Sequence, residues 1–283
     1  MMKKIKTSEP QKHQPLKALI AQLVQAYAPL QIYQFSKLTK KEHAKSVFST
    51  AEMQKQRTYY LLMLTETAGI KESQVQDFVA SANVNAKVII QVRARAVLLK
   101  QLNQRNAYLA TITNLGKRWY SAPGQEENPA LLKPNPKKLL GKNIVHWRKR
   151  SEMATAFFIA AAQAIKMRQK QTCLFLLNEA AKQACLGLIY VFMGDEPEQY
   201  NLQCLLNLCA CFSKLPEQCF LGTPQRRLLF EIMVKYASQL GCGEDFDLQG
   251  KSIDQFRDLV DEFLKVVEVL CKERLAVLQK GIL

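Results

Sequence analysis

At 283 residues and 48% hydrophobic, the chain is long enough to fill two ordinary cores. Its formal charge of +16 is unevenly spread: residues 1–150 hold 26 Lys/Arg against eight Asp/Glu, a net of +18, whereas residues 151–283 hold 14 against 16, a net of −2. The longest apolar stretch, residues 184–193, falls short of the roughly 20 residues a bilayer span needs, and the eight cysteines, all after residue 172, show neither Cys-x2-Cys nor Cys/His spacing, which excludes a zinc motif and a small disulfide scaffold.

Residues 1–15 read as a flexible basic tail punctuated by Pro10 and Pro15. The tail has no apolar run behind its charges, so it is not read as a signal peptide, and reduced thiols in a cytoplasmic protein are expected. Leu16, Leu19, Ile20, Leu23, Val24 and Tyr27 recur at helical spacing and predict an amphipathic helix closed by Pro29. Residues 31–35 read as a short strand, 37–57 as a charged, weakly patterned insert, and 58–64 as a buried strand. A helix over 71–84, a strand over 86–94, a helix over 96–104, a segment over 107–115 and a short run over 117–120 follow. This alternation predicts a small α/β domain over 16–121 with three or four strands.

Residues 122–148 read as a linker, because 122–141 collect four of the ten prolines and two of the eleven glycines. Beyond it, residues 149–283 offer only helices. The first is capped by Ser151 and buries Ala154, Phe157, Phe158, Ala161 and Ile165. The second, 172–193, stops at Gly194. A third covers about 201–212, a fourth starts at Pro224, and the fifth starts at Ser252, with Gln255 at capping-box spacing. The fold class is therefore α+β in two domains, a small α/β domain followed by an all-α antiparallel helical bundle.

The pattern over 16–121 resembles the minimal nucleotidyltransferases of the DNA polymerase β type, in which a strand ends in Gly-Ser and the next carries two carboxylates that hold magnesium. The Gly-Ser place here reads Phe35-Ser36-Lys37, the strand over 58–64 has no Asp or Glu, and the strand over 86–94 brings Lys87 and Arg93, with Arg95 just beyond. Cations at those places repel a metal ion. The resemblance thus implies a degenerate domain with no metal site and no cofactor.

The second half, through ATAFFIAAAQAI, FLLNEAAKQACLGLIYVFMG, EPEQYNLQCLL, LLFEIMVKYA and VLCKERL, resembles the HEPN domain family. Many of its members are ribonucleases that use Arg followed after four to six residues by His, and many form homodimers. The histidines here, His13, His43 and His146, are read as lying outside the bundle. Arg226 and Arg227 are followed by Glu231, Ile232, Met233 and Val234, and Tyr200 stands where the family often has His. The resemblance therefore implies a pseudoenzyme with no catalytic residue, and a homodimer.

Binding is what remains. Asn178, Glu179, Lys182 and Gln183 lie on neighbouring turns and, with Asn201, Arg226, Arg227 and Tyr236, define a candidate polar groove for a nucleotide or RNA. Lys117-Arg118-Trp119-Tyr120 and His146-Trp147-Arg148-Lys149-Arg150 mix cations with aromatics, as nucleic-acid surfaces do. The ordinary alternative is that these are solvated or packed residues, with Trp119 buried against its own domain. The expected function is a non-catalytic nucleotide- or RNA-binding protein of a toxin–antitoxin-like or stress system. The alternatives are a protein–protein adaptor using the basic half, or a cryptic nucleotidyltransferase or ribonuclease.

Overall fold

The helical spacing that begins at Leu16 folds into α1 (Gln14–Tyr27), and the computed structural model sets its apolar stripe on a four-stranded sheet. The structure describes residues 14–43, 53–82, 86–103, 107–125, 136–198, 201–239, 248 and 250–281. Residues 1–13 of the expected tail, Tyr200, Cys242 and part of the expected linker lie outside them. The chain divides into two units, Met1–Lys100 with Thr111–Ala130, and Gln101–Ala110 with Leu131–Leu283. A sheet-containing unit followed by a helical one is the α+β organisation read from the sequence.

The sheet comprises β1 (Gln31–His43), β2 (Met53–Thr65), β3 (Lys87–Ala94) and β4 (Lys117–Ser121), in the order β3-β2-β1-β4. β1 is antiparallel to β2 and to β4, and β2 is parallel to β3. The parallel pair requires a crossover, which α2 (Glu72–Ser81) provides. Leu16, Leu19 and Leu23 of α1, Val75 and Val79 of α2, and Ile32, Tyr59, Leu61, Met63, Val88, Ile90 and Val92 of the sheet form one buried cluster. Tyr60, Leu62 and Leu64, which alternate with them on β2, are buried too. Burial on both faces explains why β2 reads as an unbroken apolar run.

Two features of this unit depart from the sequence reading. Residues 37–57 are not an irregular insert on either side of 44–52: β1 and β2 continue as a hairpin, pairing from Lys37↔Tyr59 to His43↔Met53. A ladder satisfied by backbone hydrogen bonds needs no apolar alternation, so it leaves no period-two signal. Ser36 is therefore strand interior, next to a register shift between Gln34 and Ser36, and not the end of a strand.

The free edge of β3 is covered by side chains of α2. Glu72 Oε2 accepts from the Val92 amide at 3.1 Å and from Arg93 Nη1 at 3.0 Å. One turn later Gln76 donates to the Val88 carbonyl at 2.9 Å and accepts from the Ile90 amide at 3.0 Å. The i, i+4 pair on the helix thus serves the outward-facing polar groups of the strand and blocks edge pairing. α3 (Arg95–Asn103) and α4 (Ala107–Leu115) follow β3, and the division between the units falls within these two helices.

The helical unit contains α5 (Pro136–Lys166), α6 (Lys170–Met193), α7 (Leu202–Cys209), α8 (Leu215–Leu221), α9 (Pro224–Ser238) and α10 (Ile253–Gln279). α6 is its centre and packs against α5, α7, α9 and α10. Among the described helices it is the one long and apolar enough to cross a membrane, and 67% of its apolar window is buried in the fold. It ends, as expected, at Gly194, whose φ of 66° is the left-handed cap that glycine accepts without strain. Ser252 and Gln255 form the expected capping box on α10.

The first helix of this unit begins well before its expected cap. α5 starts at Pro136, so it occupies much of the stretch read as linker, and Ser151 lies inside it with its hydroxyl donating to the Arg148 carbonyl at 2.9 Å. That local bond satisfies a serine in a helix interior as well as a cap does. His146, read as outside the bundle, is consequently on α5 within the helical unit. α8, with Pro216 in its first turn, is an element the apolar spacing did not reveal. The seven described cysteines are free thiols, and burial pushes Cys173 and Cys219 up to about 11.

Candidate functional site

The first half of α5 carries Lys137, Lys138, Lys142, Arg148, Lys149 and Arg150 and no carboxylate before Glu152. Helical periodicity sorts the described side chains into two faces. Asn143, Trp147, Arg150 and Ala154 turn toward the bundle, whereas Lys142, Ile144, Val145, Arg148 and Lys149 are exposed. Lys142, Arg148 and Lys149 form no ion pair with a described residue.

The inward face is held by specific contacts. Asn143 is buried and donates through Nδ2 to the Val191 carbonyl at 2.9 Å, one of the carbonyls that the end of α6 leaves without a helical partner. Trp147 lies against Gly187 of α6, where a Cβ would approach its ring to 2.8 Å, so only glycine permits this closeness of the two helices.

His146, next to Trp147, and Arg150, one turn further along α5, converge on the turn after α6. His146 Nε2 lies 2.5 Å from Glu196 Oε1, and Arg150 Nη2 donates to the same oxygen at 2.9 Å. Arg150 Nη1 donates to Gln183 Oε1 at 2.7 Å, which orients the guanidinium. The His146 ring stacks on Tyr190 at 3.7 Å between centroids. The neighbouring Asp195 accepts from Gln101 Nε2 at 2.8 Å, which anchors the turn.

The electrostatics follow from burial and from these partners. Burial holds the His146 pKa below its ordinary value, against the pull of Glu196, and the charges of Arg150 and Lys149 act in the same direction as burial. Nδ1 of His146 is buried without a hydrogen-bond partner. The neutral ring with its proton on Nε2 fits this surrounding, because a second proton on Nδ1 finds no acceptor. Burial works against ionisation of Glu196, but hydrogen bonds from His146 and Arg150, helped by the charge of Arg150, outweigh it and keep its pKa below the usual carboxylate value.

The residues expected to line a polar groove have other occupations. Asn178 is 5% exposed, and Lys182 pairs with Glu179 at 2.6 Å. Asn201 caps α7, accepting from the Gln203 and Cys204 amides. Arg226 makes a two-pronged pair with Glu262, both contacts at 2.8 Å, and donates to the Cys219 carbonyl. Tyr236 is buried with Lys235 over its ring. Arg227 is exposed and lines a cleft of about 300 Å³ with Thr223 and Glu231. In the sheet unit, Lys117 and Arg118 are exposed on the edge strand β4; Lys117 lies 4.2 Å over the Trp119 ring, and Trp119 donates to Gln34 Oε1 at 3.1 Å.

Of the basic clusters singled out in the sequence, the one around Arg148, Lys149 and Arg150 is thus a helix with a cationic outer face and an anion-holding inner one. The Glu196 partnership escaped the sequence reading. Its available signal was the i, i+4 spacing of His146 and Arg150 together with the acidic turn that follows a long apolar helix. The chain matches no protein-family model, and no match to it was found among the curated proteins.

Proposed function

We propose that the protein is a non-catalytic RNA-binding protein that holds the phosphate backbone through the first half of α5. The observation that carries this reading is the run of six cations between Pro136 and Ser151 without a carboxylate, three of which, Lys142, Arg148 and Lys149, are exposed. Lys117 and Arg118 on β4 add a second basic surface. The only two tryptophans, Trp119 and Trp147, are engaged with their own units. Stacking of bases on them is therefore not what the fold favours, and phosphate contacts, which carry no sequence information, remain.

This reading keeps the helical unit as HEPN-like and the sheet unit as a degenerate nucleotidyltransferase-like domain. Against ribonuclease chemistry at His146 stand the pairing of its Nε2 with Glu196 and the burial of its Nδ1 without a hydrogen-bond partner. The adaptor reading draws on the exposure of Ile144 and Val145, at 45% and 58%, among the same cations.

The test is fluorescence anisotropy with a labelled single-stranded RNA of about 20 nucleotides over a salt series. For three lost phosphate contacts the triple variant K142E/R148E/K149E should lower the salt slope by about 2, at about 0.7 per contact for single strands, and weaken binding at low salt more than roughly tenfold. Binding insensitive to salt, or unchanged in the triple variant, refutes the reading. Retention of an acidic protein partner without RNA binding favours the adaptor. Sedimentation velocity tests the homodimer that the HEPN resemblance implies.

A further inference from the structure

Two donors from adjacent turns of α5, His146 Nε2 and Arg150 Nη2, meet at a single oxygen, Oε1 of Glu196, at 2.5 and 2.9 Å. Convergence of donors on one anionic oxygen is the arrangement of an oxyanion site. The guanidinium is already aimed, because Gln183 holds Nη1 at 2.7 Å. Its Nε is buried and has no hydrogen-bond partner, so a carboxylate in this place leaves one charged donor unused. The donors are the inner layer of the site, at 15% and 16% side-chain exposure, and the carboxylate at 37% is its outer layer. The exposed cations Arg148 and Lys149 lie between the two donors in sequence.

We infer that Arg150 and His146 form a binding site for a phosphate group, which the Glu196 carboxylate occupies as an internal substitute and from which a phosphate must displace it. A phosphate monoester brings three oxygens and close to two negative charges, enough to take the two donors that Glu196 uses and the guanidinium Nε that it leaves. Displacement needs only a side-chain rotation of Glu196. The backbone of the turn stays in place, because Asp195 is tied to Gln101 at 2.8 Å and Gly194 already ends α6. The site selects against cations, since its fixed groups are donors. The carboxylate therefore acts as a built-in competitor, setting how strongly a phosphate must be presented before it is held.

The inference narrows the proposed phosphate binding to one site, and its test does not depend on RNA. The full-length wild type, E196A and the double variant E196A/R150A are titrated by calorimetry with inorganic phosphate and with adenosine 5′-monophosphate, and by anisotropy with the labelled RNA. E196A should bind inorganic phosphate roughly tenfold tighter than wild type and show a phosphate-dependent rise in thermal midpoint, and E196A/R150A should lose both. Tighter binding of the mononucleotide than of phosphate points to a nucleotide as the source, and a gain confined to the RNA points to the polymer. If E196A does not fold, E196Q, which keeps the shape and removes the charge, is measured instead. No gain in phosphate affinity in the variant that folds, or an equal gain with Arg150 removed, overturns the inference. Wild type that fails to bind RNA while E196A gains phosphate sinks only the RNA reading, whereas RNA binding without any phosphate gain sinks only the internal competitor.

Discussion

Substituting glycine by alanine within a helix should have opposite signs at two positions of the helical unit. Gly141 lies in α5 with nothing within 4 Å of an added Cβ, so Gly141→Ala should stabilise by the helix-propensity difference alone, about 0.8–1 kcal/mol. Gly187 lies in α6, where the same Cβ meets Trp147 Cε3 at 2.8 Å, Cζ3 at 3.0 Å and Arg150 Cβ at 3.1 Å. Carbon contacts are at rest near 3.5–4.0 Å, so ring and helix must part by roughly 0.7 Å. None of these atoms is the loose end of a flexible chain. Overpacking of this kind costs about 1–3 kcal/mol, and subtracting the same propensity gain leaves Gly187→Ala destabilised by up to about 2 kcal/mol. At roughly 2–4 °C per kcal/mol for units of this size, calorimetry should show the thermal midpoint raised by a few degrees in G141A and lowered by a few degrees in G187A. Replacing Trp147 by Ala in the G187A background should relieve the clash, giving a double-mutant coupling of opposite sign to the single losses. A stabilised G187A, or strict additivity with W147A, would show that α5 and α6 do not meet as described.

Other consequences are open to measurement. Because the folded-state pKa of His146 is held below its unfolded value, the unfolded chain takes up the proton first; stability should fall as pH drops below about 6.5. The lowered pKa of Glu196 adds a loss in the same direction at more acidic pH, so H146Q should show a shallower decline between neutral and mildly acidic pH, and parallel profiles would contradict the burial argument. Gln76→Ala strips the side-chain partners from the Val88 carbonyl and the Ile90 amide, and should cost about 1–3 kcal/mol in urea unfolding. Hydrogen exchange at the Ile90 amide should quicken, and an unchanged rate would mean that α2 does not cover the edge. Cys173 and Cys219, with pKa pushed up to about 11 by burial, should resist a disulfide reagent at pH 8 in the native state and react promptly once unfolded; fast native labelling at either would show that they are not enclosed.

Much of the architecture is written in apolar spacing and end signals. Leu16, Leu19, Ile20 and Leu23 specify α1, Ser252 with Gln255 starts α10, Gly194 ends α6, and the charge count places the basic excess in residues 1–150, all from residues close together in the chain. Periodicity reports which side of an element is buried, and it is silent where burial is not the organising force. The continuation of β1 and β2 through residues 37–43 and 53–57 rests on backbone pairing, and the start of α5 at Pro136 rests on Asn143 meeting Val191 and Trp147 meeting Gly187. The candidate site lay furthest from view. His146 and Glu196 are 50 residues apart, Arg150 and Gln183 are 33 apart, and each is by itself an unremarkable polar residue. A hydrogen bond between two such side chains has no local signature, because its energy depends on distance and desolvation that arise only when α5 and the turn after α6 are brought together. The sequence by itself therefore determined the elements whose apolar faces and end signals are local, and tertiary packing decided the extent of β1, β2 and α5, which charges face solvent and which are already answered from within.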